Sequence, residues 1–325
     1  MFWFSKNHVY SIGVDMGDDI IKMVQLASNG NGVSVIAGGS ERRPVNVIPG
    51  SGNWQRWAVD AICELTANAK FRGREVVAVM PANAVFIDHI KMPKIQDDSA
   101  EEKKALWSSD DKLQEAIFSK IKQKLPFEPD DAMLKYIPAE GDNVLVTACE
   151  RKIIDRHLAI YEKANLQIKS LSVWPIALTN SYIKFFGRRK SDIEAVVMLL
   201  EMDANCINVV ICRHKNPLFA RSISIGANQL ESDEAITRLV LELTACKQHF
   251  GSMQRKAQIE RLIFLSAQQE CRSTCATIAK QLEMPAQIGN CLAAVEIEDP
   301  GHSPIDRRDG EVNWATAFGL SLSLS

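Results

Sequence analysis

One three-strand pattern occurs twice in this chain, and that repetition restricts its fold more than any other feature. The first copy runs Val9-Tyr-Ser-Ile-Gly-Val-Asp15, turns at Met16-Gly17-Asp18-Asp19, continues through Ile20-Ile-Lys-Met-Val-Gln-Leu26, turns at Asn29-Gly-Asn-Gly32 and ends in Val33-Ser-Val-Ile-Ala37. The second copy is Ala195-Val-Val-Met-Leu-Leu-Glu-Met202, a turn at Asp203-Ala-Asn205, then Cys206-Ile-Asn-Val-Val-Ile-Cys212 and Leu218-Phe-Ala-Arg-Ser-Ile223. Short apolar runs separated by Gly, Asn and Asp read as antiparallel meanders. Each copy leads into a helix. Residues 54–70 carry Trp54, Trp57, Ala58, Ala61, Ile62 and Leu65 at helical spacing, and residues 232–250 open with Asp233 and Glu234, where acids suit the helix dipole. Each helix is followed by a buried strand, 75–80 and 261–266. The order βββαβ, used twice, predicts an internal duplication of fold.

Between the copies lie a strand at 85–91, a charged stretch at 96–111, an amphipathic helix at 112–125 closed by Pro126, strands at 132–139 and 144–149, a helix at 153–164, a strand at 168–173 and a helix from Trp174 to about Phe186. The cations of Gly187-Arg-Arg-Lys-Ser191 read as a solvated loop. A helix at 270–282 and a short one around 314–320 complete the chain. Its 325 residues suit two domains or one bilobed unit.

Composition removes several classes. Lys plus Arg is 38 against 40 for Asp plus Glu, so bulk electrostatic binding to nucleic acid is not expected. The eight cysteines form no CxxC pair and fit a reducing compartment. Cys271 and Cys275 read as small apolar residues of one helix face, and Cys246 with His249 as one helix face, not a nucleophile–base pair. No apolar run is long enough to span a membrane. Phe2, Trp3 and Phe4 read as a tail packed on the domain, with a membrane-surface contact as the alternative. The expected location is cytoplasmic.

Two meanders with an acidic first turn resemble the actin-like ATPase (ribonuclease H-like) fold, an α/β architecture of two duplicated lobes. In that plan two hairpin turns clamp the phosphates of ATP. Glycine lets backbone N–H groups approach phosphate oxygens, and aspartate holds Mg²⁺ or its waters. Ile12-Gly-Val-Asp-Met-Gly17 resembles the first of these turns. The wider pattern resembles the PilM family of type IV pilus assembly, relatives of FtsA. The resemblance continues through Lys22, Val79-Met-Pro81, Met92-Pro93, Lys124-Leu-Pro-Phe127 with Tyr136, Trp174-Pro-Ile-Ala-Leu178 with Tyr182, Arg221-Ser-Ile-Ser-Ile-Gly226 with Gln229-Leu230, and Asn313-Trp-Ala-Thr-Ala-Phe-Gly-Leu320.

The resemblance implies a first lobe over 8–187 (subdomain 1A, with an inserted 1C subdomain at about 82–167) and a second over 191–325 (2A, with 2B at about 224–260). It places Asp15, Gly17, Asp18, Asp19, Lys22, Glu201, Asp203, Gly226 and Ser266 around a nucleotide, with Asp15 and Glu201 toward the metal. It also implies a partner: the N-terminal cytoplasmic tail of a PilN-like inner-membrane protein, beside which we place Leu125, Pro126, Phe127 and Tyr136. Other pilus assembly proteins would follow, with membrane contact only through the partner.

The departures matter equally. Asp18 and Asp19 stand where the family usually places small hydroxyl residues. Asp203 replaces a glycine, Gly226-Ala227 replaces Gly-Gly, and Ser266-Ala-Gln-Gln269 replaces a glycine-rich adenosine turn. Two like charges about 4 Å apart repel by about 4 kcal/mol at an effective dielectric near 20. The expectation is a non-catalytic scaffold with a degenerate site for ATP with Mg²⁺. The alternatives are an active nucleotide-binding ATPase of the same machinery, or the cytoplasmic domain of a type II secretion L-like protein.

Overall fold

The structure, a computed structural model, describes residues 8–29, 32–92, 110–266, 272–298, 305 and 312–323. The first meander is β1 (His8–Met16), β2 (Ile20–Asn29) and β3 (Gly32–Arg42), all antiparallel. Helix α1 (Gly52–Asn68) follows, capped by Ser51, whose side chain accepts from the Trp54 N–H at 3.2 Å. It returns the chain to β4 (Glu75–Met80), parallel to β1. Side chains alternate across a strand, so Ile12, Val14 and Met16 pack on Trp54, Ala58 and Ile62 of α1, while Gly13 faces the other way. Both sheet faces are covered, which explains why the strands read as nearly continuous apolar runs.

The second meander is β9 (Val196–Met202), β10 (Ile207–Arg213) and β11 (Asn216–Ile223). Helix α6 (Asp233–Met253) and β12 (Ile259–Leu265) follow, with β12 parallel to β9. Helix α7 (Arg272–Gln281) leads to β13 (Ala286–Gly289), which extends the sheet in the order β11-β10-β9-β12-β13. In the first sheet the order is β14-β3-β2-β1-β4-β8, with β8 (Gln167–Val173) parallel to β4 and β14 (Glu296–Ile297) returning to pair with β3. Without β14 the two orders are the same, so the duplication read from the sequence is a duplication of topology.

A third, separate sheet lies between β4 and β8 in the chain. Strands β5 (Phe86–Lys91), β6 (Ala132–Pro138) and β7 (Asn143–Glu150) pair in the order β5-β7-β6. Helix α2 (Asp110–Ile121) covers it with Leu113, Ile117 and Ile121. Helix α3 (Arg151–Lys163) then brings the chain back to β8 and lies on α1, where the Trp54 ring meets His157 edge-on at 5.8 Å. Helix α4 (Trp174–Phe185) and the short α5 (Lys190–Glu194) connect the lobes.

Helix α8 (Ala315–Ser321) is buried along its whole length between β1 and α4. Two glycines permit this. A Cβ on Gly13 would lie 2.1 Å from the Ala317 carbonyl oxygen, and one on Gly319 would lie 1.8 Å from that of Ala177. The Ser321 hydroxyl donates to the Ser11 carbonyl at 2.8 Å and accepts from the Leu26 N–H at 3.2 Å, so the helix replaces missing side chains with hydrogen bonds.

The structure differs from the sequence reading in four places. Helix α2 stops at Ile121, before Leu125, because Lys122-Gln-Lys124 offers nothing apolar to bury. Strand β13 was not read: four residues with mostly exposed side chains leave no periodic trace. Nor was β14, a strand of two residues. Part of the solvated loop at 187–191 starts α5, whose buried Asp192 holds Arg261 at 2.6 Å. The aromatic tail at 1–7, the turn residues Gly30 and Asn31, Pro93, the charged stretch at 96–109, residues 267–270 (with Ala267-Gln-Gln269 of the adenosine turn) and Cys271 lie outside the described residues.

Candidate functional site

The β1–β2 turn and the β9–β10 turn face each other across a cleft of about 1110 Å³. Asp15, Gly17, Asp18, Asp19, Lys22, Glu201, Asp203 and Ser266 all line it. Gly226 does not; it packs behind the second turn, where a Cβ would meet the Ala204 carbonyl oxygen at 2.1 Å. Pro126 and Phe127 line the same cleft, whereas Leu125 and Tyr136 pack at the margin of the α2 cluster.

Lys22 is the cation of the first turn, and its charge is spent within the protein. Its Nζ lies 2.6 Å from Asp15 Oδ2 and donates to the Asn313 carbonyl at 3.0 Å, with the residue 3% exposed. Burial opposes the ammonium, but Asp15, Asp203 and Glu201 outweigh it and hold its pKa above the ordinary lysine value. Burial pushes the Asp15 carboxyl up, against the pull of Lys22; the 2.6 Å contact and the second acceptor on Nζ mark Lys22 as the charged partner. Glu201 accepts from Asn208 Nδ2 at 2.9 Å and from the Thr316 hydroxyl. Burial, then the Asp15 charge, push its pKa up to about 7.

The turn atoms are similarly engaged. The Gly17 N–H donates to the Ile20 carbonyl at 3.0 Å and the Asp203 N–H to Cys206 at 3.0 Å. The Ala204 N–H donates to Asp203 Oδ1 at 2.9 Å, while the Ala227 N–H closes on the Asp203 carbonyl at 2.8 Å. Asp18 accepts from Asn83 Nδ2 at 2.9 Å, and burial followed by the Asp19 charge raises its pKa. Asp19 pairs with Arg43 at 2.5 Å and also accepts from Asn205 of the opposite lobe. Among the described residues no group of three or more His, Cys, Asp or Glu side chains is placed to hold a metal ion.

Arg43, Asn205, Asn313 and Thr316 were not singled out in the sequence. Arg43 follows β3 and donates to the Asp18 carbonyl at 2.7 Å. Asn313 also donates to the Leu265 carbonyl at 2.8 Å. The only sequence signal for Asn313 and Thr316 was their place in the 313–320 segment. Cys246 is fully buried and its thiol is pushed up to about 11 by burial, so it does not pair catalytically with the exposed His249.

The family model described as type IV pilus assembly protein PilM matches residues 13–240. The chain belongs to the PilM family. Its fold agrees with that of the chain in a structure titled PilM-PilN type IV pilus biogenesis complex, at TM-score 0.73 and 20% identity over 96% of this chain and 98% of that one. The ethanolamine utilization protein EutJ from Carboxydothermus hydrogenoformans matches at TM-score 0.50 and 11% identity, over 96% of this chain and 89% of its own. The cytoplasmic domain of EpsL from Vibrio cholerae gives TM-score 0.48 and 12% identity over 79% and 82%. No curated protein sequence matches significantly. The fold is thus that of actin-like ATPases, and in this PilM-family member the turns of the cleft carry carboxylates held by internal partners.

Two buried histidines set an acid limit on stability. His89 and His157 have pKa values lowered to about 4, in both by burial first, with His249 adding for His89 and Arg156 for His157. Their neutral forms favour the fold above the unfolded value near 6.5, and that stability is lost as pH falls from there through about 4. Glu201 has the opposite sign, since its contribution is present at low pH and lost as pH rises through about 7. The urea midpoint should therefore drop between pH 6.5 and 4. A midpoint that holds steady across that range would refute the assignment.

Proposed function

We propose that this PilM-family chain is a cytoplasmic scaffold of type IV pilus assembly that holds the extended N-terminal tail of a PilN-like inner-membrane protein and has no working nucleotide site. The observation that carries the second half is the closed bonding of the cleft. A magnesium triphosphate needs free N–H donors, a free cation and carboxylates open to the metal. Here Lys22 serves Asp15 and Asn313, Glu201 serves Thr316 and Asn208, and the N–H groups named above all bond to oxygens of the protein. This donor set does not fit the group, and no step through ATP is assigned.

The partner half rests on the end-to-end likeness to a PilM solved as a PilM-PilN complex. Among the described residues no helix is long and apolar enough to cross a membrane, so a membrane-anchored partner would supply the attachment. We read the β5-β7-β6 sheet with α2 as the 1C subdomain. The tail would run along it in extended form, where main-chain hydrogen bonds give affinity and side-chain pockets give specificity. Phe127 and Pro126 are the side chains of our partner set that reach the cleft.

Calorimetry tests both halves. Titration with Mg-ATP should give no heat of binding, and titration with a synthetic tail of the PilN-like protein should give a Kd of roughly micromolar order, weakened by Phe127→Ala. Micromolar ATP affinity would sink the degenerate-site reading, and a silent tail titration would sink the scaffold reading.

A further inference from the structure

The inserted sheet belongs by chain order to the first lobe, yet it is bonded to the second. Strand β11 is the edge of the second sheet, and an edge strand presents backbone N–H groups that need acceptors. The Ala220 N–H of that edge donates to His89 Nε2, on β5, at 3.0 Å. The His89 ring also lies flat on Phe219, with centroids 4.3 Å apart and planes 7° apart, and His249 of α6 abuts both rings edge-on at 5.6 and 5.5 Å. Acceptance requires a neutral imidazole. Burial and His249 keep His89 neutral, against the pull of Asp88, whose charge is shared with Lys124 at 2.7 Å.

The β6–β7 turn, which closes the sheet just beyond His89, where Leu145 pairs with His89 and Asn143 with Lys91, makes a second set of contacts. In the β6–β7 turn, Glu140 pairs with Arg213 at the end of β10 at 2.5 Å, and its carbonyl accepts from Gln254 Nε2 at 2.9 Å. Asn143 donates to the Met253 carbonyl at 3.5 Å. The two attachment points sit on different strands of the insert and reach both the edge strand and the end of α6. The attachments run along one end of the sheet and engage two elements of the second lobe, so the insert cannot slide on either one without breaking its bonds to the other. We propose that the inserted sheet is a latch that fixes the angle between the lobes, closing on the second lobe through His89 of β5 and the neighbouring Glu140 turn. The lobe angle is then set by contacts within the polypeptide.

The test is a distance distribution from spin labels on the exposed Cys63 of α1 and on a cysteine replacing the exposed Ser273 of α7, with Cys271→Ser. Cys206, inside the cleft, has its thiol pushed up to about 12 by burial and the nearby Asp203 and Glu201 charges, and stays unlabelled. The otherwise native protein should give one narrow distance. His89→Ala with Glu140→Ala should broaden it or shift it by about 5 Å, as expected of a released hinge. The Ala220 amide should exchange about tenfold faster in His89→Phe, which keeps a stacked ring and loses the acceptor. If the double variant does not fold, Glu140→Ala alone, at a partly exposed side chain, should still broaden the distance. An unchanged distance in whichever of these variants folds overturns the latch, even if the Ala220 amide exchanges faster. The measurement uses neither ATP nor a partner, so its failure leaves the scaffold reading untouched.

Discussion

Gly319→Val should destroy the native fold. The new Cβ would sit 1.8 Å from the Ala177 carbonyl oxygen and 2.5 Å from its carbon, inside a helix-on-helix contact of α8 with α4. The obstacle is backbone, so no rotamer change can relieve it, and α8 must lift off both α4 and β1. That movement uncovers Phe318 and Leu320, which are fully buried, and breaks the Ser181 hydroxyl donation to the Ala315 carbonyl. Overpacking alone costs about 1–3 kcal/mol, and uncovering two large side chains adds about 1.5–3 kcal/mol each. Set against a typical stability of about 5–15 kcal/mol, the sum leaves little folded protein. Gly251→Ala is the matched control. Nothing lies within 4 Å of its Cβ position on α6, and alanine should gain about 0.5–1 kcal/mol of helix stability. Soluble yield and urea midpoints separate the two. A Gly319→Val variant with a native midpoint would show that α8 is not seated as described.

The second large effect is expected at Lys22. Lys22→Ala removes the side-chain cation bonded to Asp15 and leaves that carboxylate facing Glu201 and Asp203 in a site that burial has already made hostile to charge. Removing one partner of a buried pair costs about 3–5 kcal/mol. The protein would lower that cost by taking up protons, so the variant should regain stability as pH falls toward 5, opposite in sign to the histidine effect. Lys22→Met with Asp15→Asn deletes both charges and should recover most of the loss. Urea midpoints of the single and double variants at pH 7.5 and 5.5 decide it: equal losses in both would mean that the pair carries no coupling.

Periodicity made the repeated meander legible, because each strand of both copies is long and apolar and each turn carries Gly, Asp or Asn. That Asp15, Lys22, Glu201 and Asp203 meet around one cleft is implied by the resemblance of the two turns to the actin-like fold, not by periodicity. What the sequence could not supply was the bonding. Nothing in Ile20-Ile-Lys22 says that Lys22 turns to the Asn313 carbonyl, a residue 291 positions away. Arg43 reads as one more surface cation after β3, and only the folded loop brings it onto Asp19. Nothing in Asp88-His89-Ile90 marks the histidine; its role comes from Phe219 and Ala220, on a strand of the other lobe. Local patterns encode elements, whereas these contacts depend on how elements are brought together.

Helix α8 also dictates when the molecule can finish folding. Ser321 bonds to Ser11 across 310 positions, so strand β1, made first, waits for nearly the last residues described. Chain is synthesised at roughly 5–20 residues per second, and contacts of such separation are late ones. Until residue 321 has left the ribosome, the face of β1 around Gly13 stays bare, and the first lobe is an open sheet in need of protection. Ribosome-bound chains stopped before Ala315 should therefore be cut by protease within the first lobe, and chains released after Ser321 should not.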